Sequence, residues 1–112
     1  MGTRVYITNF AGHDYAAAEK YGELIWITKG YVSFQSLDRV KFEVVEKIQG
    51  STPDDWLLLS GTLLISVVAA LAWLSKHGVV KLLIFDKKDS SFRELIITHV
   101  NLHAIEEAIS GS

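Results

Sequence analysis

Runs of β-branched and aromatic residues alternate along this chain with stretches in which apolar residues recur every three or four positions. The first pattern is typical of strands and the second of amphipathic helices. Glycine-containing polar clusters separate the runs and indicate turns. The predicted strands cover Arg4–Phe10, Glu23–Thr28, Asp55–Leu59, Val79–Phe85 and Phe92–Thr98.

Helices are predicted between and after these strands. A short one follows Asp14, whose carboxylate can cap it, and ends at Gly22. The clearest amphipathic pattern spans residues 36–48, and a helix with small or apolar residues nearly all the way round is predicted over 62–77. Asn101 is expected to cap a terminal helix.

Strands alternating with helices indicate a largely parallel sheet with right-handed crossovers and helices on its faces. The polar turn from Asp86 to Ser90 is short, so the last two strands are expected to form an antiparallel hairpin. We therefore predict a small Rossmann-like three-layer α/β domain, mostly parallel, of about five strands. With 112 residues, the chain has room for one such domain, residues 1–112.

The segment Trp56–Ser75 contains no charged side chain and is long enough to cross a bilayer as a helix. Trp56 and Trp73 also stand where interfacial aromatic residues occur. Two hydroxyl residues flanking Gly61 nevertheless favour a strand, a turn and a helix, with Thr62 or Ser60 as the N-cap. We interpret the segment as the interior of a soluble domain, and a membrane-spanning helix is the alternative.

Composition narrows the classes of function. A net charge of −2, from 11 basic and 13 acidic residues, argues against duplex nucleic acid as a partner. The absence of cysteine excludes disulfides, a thiolate nucleophile and cysteine zinc sites. Residues 1–10 lack a signal-peptide pattern, so we expect a cytoplasmic protein with no membrane partner. A hydrophobic fraction of 49% indicates a homodimer or larger homo-oligomer.

Candidate chemistry lies in the loops that follow the parallel strands, because open α/β sheets bind ligands beyond the carboxyl ends of their strands. These loops offer hydroxyls, glycines, amides, one histidine and lysines, a set suited to a phosphate-bearing ligand. Turn geometry alone also explains glycines and caps there. Neither GxxxxGK[ST] nor GxGxxG occurs, and no cofactor is expected. The candidate ligand-binding residues are Thr8, Asn9, Gly12 and His13 on one wall and Ser60, Gly61 and Thr62 on the other.

His13 is also the candidate catalytic residue, since an imidazole beside a phosphate site can transfer protons near neutral pH. A lone histidine in a turn is more commonly structural. His99 and His103 are four residues apart, but the predicted cap at Asn101 lies between them and no HExxH motif occurs. We therefore expect no metal site.

From residue 54 to residue 97 the order of elements resembles the CARF domains, Rossmann-like sensors of cyclic oligonucleotides in prokaryotic antiviral defence. The matching features are the strand Trp56–Leu59, the turn Ser60-Gly61-Thr62, the alanine-rich helix Val67–Leu74, the strand Val79–Phe85 ending in Asp86, and the hairpin to Ile97. The resemblance implies a ligand-facing role for the turn. CARF domains usually carry two glycines, threonine and lysine there, whereas this chain has one glycine, and Leu63 replaces the lysine. The triplet Gly12-His13-Asp14 also resembles small viral proteins that sequester or cleave such messengers.

Three functions follow as hypotheses. The first is a module that binds a nucleotide or other phosphate-bearing ligand, including a cyclic oligonucleotide messenger, at the carboxyl edge of the sheet. The second is a protein-interaction or assembly factor that acts through an apolar oligomer interface. The third is a phosphodiester-cleaving enzyme that uses His13.

Overall fold

A computed structural model describes residues 2–10, 14–30 and 34–111. Its five strands form one sheet in the order β2-β1-β3-β4-β5. The first four are parallel, and β5 runs antiparallel to β4, with Val79 opposite Thr98 and Asp86 opposite Ser91. This arrangement confirms the predicted α/β fold. The strands are β1 (Arg4–Ile7), β2 (Glu23–Trp26), β3 (Trp56–Leu58), β4 (Val79–Asp86) and β5 (Ser91–Thr98).

Three α-helices accompany the sheet: α1 (Leu37–Ile48), α2 (Leu63–His77) and α3 (His99–Ser110). The first predicted helix is a 3-10 helix, Ala16–Tyr21, rather than an α-helix. Its six residues complete about two turns, which is longer than most 3-10 helices. A second 3-10 turn, Phe34–Ser36, leads into α1.

The two faces of the sheet are covered unequally. Along the sheet, the crossover from β1 to β2 runs in one direction, and the crossovers through α1 and α2 run in the other. Because such connections are right-handed, α1 and α2 lie together on one face of the sheet, and the 3-10 helix lies on the other. On the face that carries α1 and α2, Tyr6, Leu57, Ile65 and Trp73 form part of one buried core. On the other face, the 3-10 helix contributes Ala18 to a second core that includes Val5, Leu58 and Phe92.

The long uncharged segment divides as predicted. β3 is buried, residues 59–62 reverse the chain, and α2 packs back on the sheet with Trp73 fully buried. In the described ranges, no helix combines the length and apolarity needed to cross a membrane. Gly78 ends α2 in the left-handed conformation, and its N–H donates to the Leu74 carbonyl.

The start of α3 corrects one sequence prediction. Thr98, not Asn101, is the N-cap, and its hydroxyl accepts from the Asn101 N–H at 3.0 Å. The Asn101 side chain accepts from the Thr98 N–H at 2.9 Å, which completes a capping box. Asn101 is therefore the third helical residue, and His99 lies inside the helix with His103 rather than before it.

Candidate functional site

The candidate site lies at the carboxyl edge between β1 and β3. Connections from these neighbouring strands leave toward opposite faces, and this divergence opens a crevice in doubly wound sheets. The loop after β1 and residues 59–62 after β3 flank this point. The structure thus places the two predicted walls next to each other, as far as their residues are described.

Thr8 joins the two walls rather than facing a ligand. Its side chain is fully buried, and its hydroxyl donates to the Ser60 carbonyl at 2.6 Å and accepts from the Ser60 N–H at 2.8 Å. The Thr8 carbonyl accepts from the Thr28 hydroxyl at 2.6 Å. Because its hydroxyl is hydrogen-bonded to both backbone groups of Ser60, Thr8 holds the loop after β3 in place.

Asn9 packs beneath the turn at Gly61. Gly61 has a φ of +80°, and a Cβ built on it would lie 2.7 Å from Asn9 Cβ and 2.9 Å from Asn9 Nδ2. The Asn9 amide donates to the Gly30 carbonyl at 3.1 Å, and its buried Oδ1 has no hydrogen-bond partner among the described residues. Only glycine combines this backbone conformation with so close an approach.

A cavity of about 580 Å³ opens beside this turn, on the side of the sheet that carries the 3-10 helix. The Tyr15 hydroxyl lies 2.6 Å from Ser60 Oγ at its wall. The volume falls in the range of small-molecule sites, roughly 300–1,000 Å³. Its polar lining comprises Asp14, Ser60, Ser66 and Lys87, and its apolar lining comprises Tyr15, Leu58, Leu59, Leu63, Phe85 and Phe92, with Gly61 between them.

The β4-β5 turn holds Lys87 at the mouth of this cavity. Arg93 Nε donates to Asp86 Oδ2 at 2.6 Å, and the Lys88 N–H donates to Asp86 Oδ1 at 3.0 Å. The hydrogen bond from Arg93, followed by the one from the Lys88 backbone, lowers the pKa of Asp86 below its ordinary value. A fixed turn therefore presents a lysine to any anion bound in the cavity.

The predicted site residues divide into four groups. Ser60 and Gly61 line the cavity, whereas Thr8 and Asn9 support the turn from below. Thr62 occupies the N-cap position of α2, but its side chain makes no capping hydrogen bond and it is not among the residues that line the cavity. Gly12 and His13 lie outside the described residues, so their roles in binding and catalysis stay predictions.

Sequence reasoning missed most of the apolar wall. Phe85 and Phe92 lie opposite each other on β4 and β5, next to the hairpin turn, and their ring centroids are 5.4 Å apart. Their position beside Tyr15 follows from the contact between β5 and the 3-10 helix, which no local pattern encodes. The sequence signal for this wall was indirect: the loop that follows the fourth strand, Asp86–Lys88, was expected at the carboxyl edge with the other loops that follow parallel strands.

The amino edge carries a second depression, of about 830 Å³, around Arg4 and Asp55. Asp55 is buried and accepts from the backbone N–H groups of Arg4 and Thr52, each at 2.8 Å. The Arg4 guanidinium lies 3.4 Å from its carboxylate. These groups satisfy one another and close the start of the sheet, so we assign them a structural role.

No group of three or more His, Asp or Glu side chains that could hold a metal ion occurs in residues 2–10, 14–30 and 34–111. His99 and His103 share α3, and His103 lies 3.3 Å from Glu107 and 3.9 Å from Glu106 on the next turn.

Comparison with known proteins yields one family. The model of the phage Pam3 gp32-like protein family matches residues 3–99, which include the whole sheet and the described walls of the cavity. No curated protein and no solved structure matches the chain significantly. The resemblance to CARF domains stays a prediction. By the extent of the family match, the chain belongs to the phage Pam3 gp32-like protein family.

Proposed function

We propose that this protein binds a small phosphate-bearing ligand, a nucleotide or a cyclic oligonucleotide, in the cavity at the carboxyl edge of its sheet. The observation that carries the proposal is the 580 Å³ cavity beside the β1/β3 divergence, the place where doubly wound sheets bind ligands. The proposal places the protein in the cytoplasm, where such ligands occur.

The lining suits the two halves of a nucleotide. Tyr15, Phe85 and Phe92 offer aromatic surface on which a flat base can stack. Ser60 and Lys87 offer a hydroxyl and a cation to a phosphate, and the amino end of α2, which begins at Leu63 and has no acidic residue in its first turn, adds partial positive charge. The base would lie toward the hairpin and the phosphate toward the turn.

The larger depression at the amino edge is a weaker candidate despite its volume. Its central charged groups, Arg4 and Asp55, already pair with each other. Ligand sites in doubly wound sheets also form at the carboxyl edge, not at this one. Position in the sheet therefore outweighs volume in choosing between the two sites.

Two neighbouring lysines allow a matched test. Lys87 lines the cavity, whereas Lys88 follows it in the same exposed turn and is not part of the lining. The ligands to be tested are AMP, GMP, a cyclic dinucleotide and a cyclic tetra-adenylate. Binding is measured as the shift of the melting temperature of the protein. A probe at 100 times its dissociation constant stabilises the folded state by roughly 2.7 kcal/mol.

At least one probe is expected to raise the melting temperature of the wild type. Lys87→Gln should then weaken binding of that probe about tenfold, which corresponds to ~1.4 kcal/mol, while Lys88→Gln leaves it unchanged. Equal losses of affinity in both variants would mean that binding depends on the overall positive charge of the turn and not on the position of Lys87. No response to any of the four probes in the wild type would contradict the proposal.

A further inference from the structure

The ligand cavity has few charged and aromatic side chains in its lining. In the described part of the chain these are one cation, Lys87, one anion, Asp14, and three aromatic side chains, Tyr15, Phe85 and Phe92. A lysine ammonium interacts with phosphate as a single point charge. Sites for chains of phosphates combine several cations, or place Mg²⁺ between the phosphates. The lining thus supplies charge for one phosphate group and stacking surface for one base.

Hydrogen bonds inside the protein occupy hydroxyl protons that would otherwise hold further phosphate oxygens. Ser66 Oγ lies 3.3 Å from Thr8 Oγ1, and Thr8 already donates its hydroxyl proton to the Ser60 carbonyl. Ser66 is therefore the donor in its contact with Thr8. The Tyr15 hydroxyl lies 2.6 Å from Ser60 Oγ, so one of these two hydroxyls donates to the other. At most one hydroxyl proton of that pair reaches a ligand.

Asp14 brings a negative charge to the same cavity. Its Oδ1 accepts from the Ala16 N–H at 2.9 Å, which orients the carboxylate at the start of the 3-10 helix. A carboxylate only accepts hydrogen bonds, so it repels a phosphate rather than binding it. Asp14 follows β1 and Lys87 follows β4, and these strands lie on either side of β3, roughly 10 Å apart. The anion and the cation therefore belong to different walls of the cavity.

These two charges act in opposite directions on a ligand with more than one phosphate group. A single phosphate beside Lys87 gains the attraction of the ammonium and has the width of the cavity between itself and Asp14. A second phosphate in the same cavity adds negative charge that Lys87 attracts and Asp14 repels by comparable amounts. The additional phosphate therefore brings no gain in affinity.

We propose that the cavity selects a nucleoside monophosphate, and that Asp14 sets this preference by opposing the charge of any additional phosphate. The inference rests on the proposed function and narrows its ligands to single nucleotides with one phosphate group. A cyclic tetra-adenylate is then a poor ligand, because each of its nucleotides carries a phosphate and the described lining offers one lysine.

Isothermal titration calorimetry without Mg²⁺ tests this preference with AMP, ADP, GMP, GDP and cyclic tetra-adenylate. The wild type is expected to bind AMP or GMP at least as tightly as the corresponding diphosphate, and more tightly than cyclic tetra-adenylate. Asp14→Asn keeps an oxygen that can accept from the Ala16 N–H but removes the charge. It should improve binding of the diphosphate relative to the monophosphate roughly fivefold, the order expected for removing one charge at such a distance.

Glu19→Gln is the matched control. It removes the same charge from the 3-10 helix, but Glu19 lines the amino-edge depression and not the cavity, so the affinity ratio should stay at the wild-type value. The melting temperature of each variant without ligand checks that it folds. Tighter binding of a diphosphate or of cyclic tetra-adenylate by the wild type, or the same ratio in Asp14→Asn as in Glu19→Gln, would overturn this inference and leave the cavity a nucleotide site. Failure of all five ligands to bind would contradict the proposed function itself, and this inference with it.

Discussion

At the scale of single residues, the carboxyl edge depends on the absence of one side chain. Gly61 turns the chain between β3 and α2 with a φ of +80° while Asn9 occupies the space that a Cβ would need. The sequence indicated a turn here from two hydroxyl residues around a glycine. It did not indicate that Asn9 would lie against that glycine, because the two are 52 positions apart and meet only when β1 pairs with β3.

Replacing Gly61 by alanine should therefore destabilise the fold by more than backbone strain alone. Gly78 is the matched control, since its φ is +72° and nothing lies within 4 Å of a Cβ built there. We expect Gly78→Ala to cost about 1 kcal/mol and Gly61→Ala at least ~1 kcal/mol more, because the latter adds a steric contact with Asn9. Chemical denaturation measures both changes, and equal losses would show that the close approach has no energetic weight.

The hydrogen bonding and burial of His77 make it a source of pH-dependent stability. Its Nε2 lies 2.8 Å from Ser51 Oγ, and Ser51 donates its hydroxyl to the Ile48 carbonyl at 2.6 Å. The imidazole is therefore the donor and needs no second proton. Burial, and then the charge of Lys76, lower the pKa of His77 below its ordinary value of 6.5, although Asp55 acts in the opposite direction.

Stability should consequently decrease as the solution is acidified. With the folded pKa below the unfolded one, the unfolded chain binds the proton first, so stability present above pH 6.5 is lost as the pH falls through the folded value. Denaturation of the wild type at several pH values between about 7.5 and 5.5 should show this loss. His77→Gln should reduce the slope, and an unchanged slope in that variant would assign the pH dependence to other groups.

At the scale of elements, the strands and helices followed local patterns closely. All five strands and α1, α2 and α3 occur where periodicity predicted them, although β1, β2 and β3 end earlier than the apolar runs. Those runs continue into the buried residues Thr8, Ile27 and Thr28, whose backbone N–H groups still donate across the sheet, to the carbonyls of Leu58, Ile7 and Thr8 respectively. Helix starts were harder to predict, because Thr98 and Asn101 are both good capping residues and only their geometry distinguishes N-cap from third position.

The capping box gives a prediction for α3. Thr98→Ala removes the acceptor for the Asn101 N–H, and such substitutions typically cost about 1 kcal/mol of helix stability. Because α3 has no buried residue, little else in the protomer compensates for the loss. Far-ultraviolet circular dichroism should show lower helicity for Thr98→Ala than for Ser110→Ala, a control at the far end of the helix. Identical spectra would mean that the capping box does not limit α3.

At the scale of the whole molecule, strand order was the decisive unknown. Sequence patterns predicted parallel strands but not that β1 would lie between β2 and β3. That order brings the β1 and β3 loops together, and the contact of β5 with the 3-10 helix adds Phe92 to the same wall. Ser60 and Gly61 could therefore be predicted as site residues from local signals, whereas Phe85 and Phe92 could not.

Amide chemical-shift mapping by NMR tests the central claim, that the cavity binds a nucleotide-like ligand. ¹⁵N-labelled protein is titrated with AMP, GMP, a cyclic dinucleotide and a cyclic tetra-adenylate. At least one should shift the resonances of Gly61, Leu63 and Phe92, which surround the cavity, and leave those of Thr52 and Asp54 at the amino edge in place. Absence of any shift at the first three residues, or a response confined to the amino edge, would contradict the account.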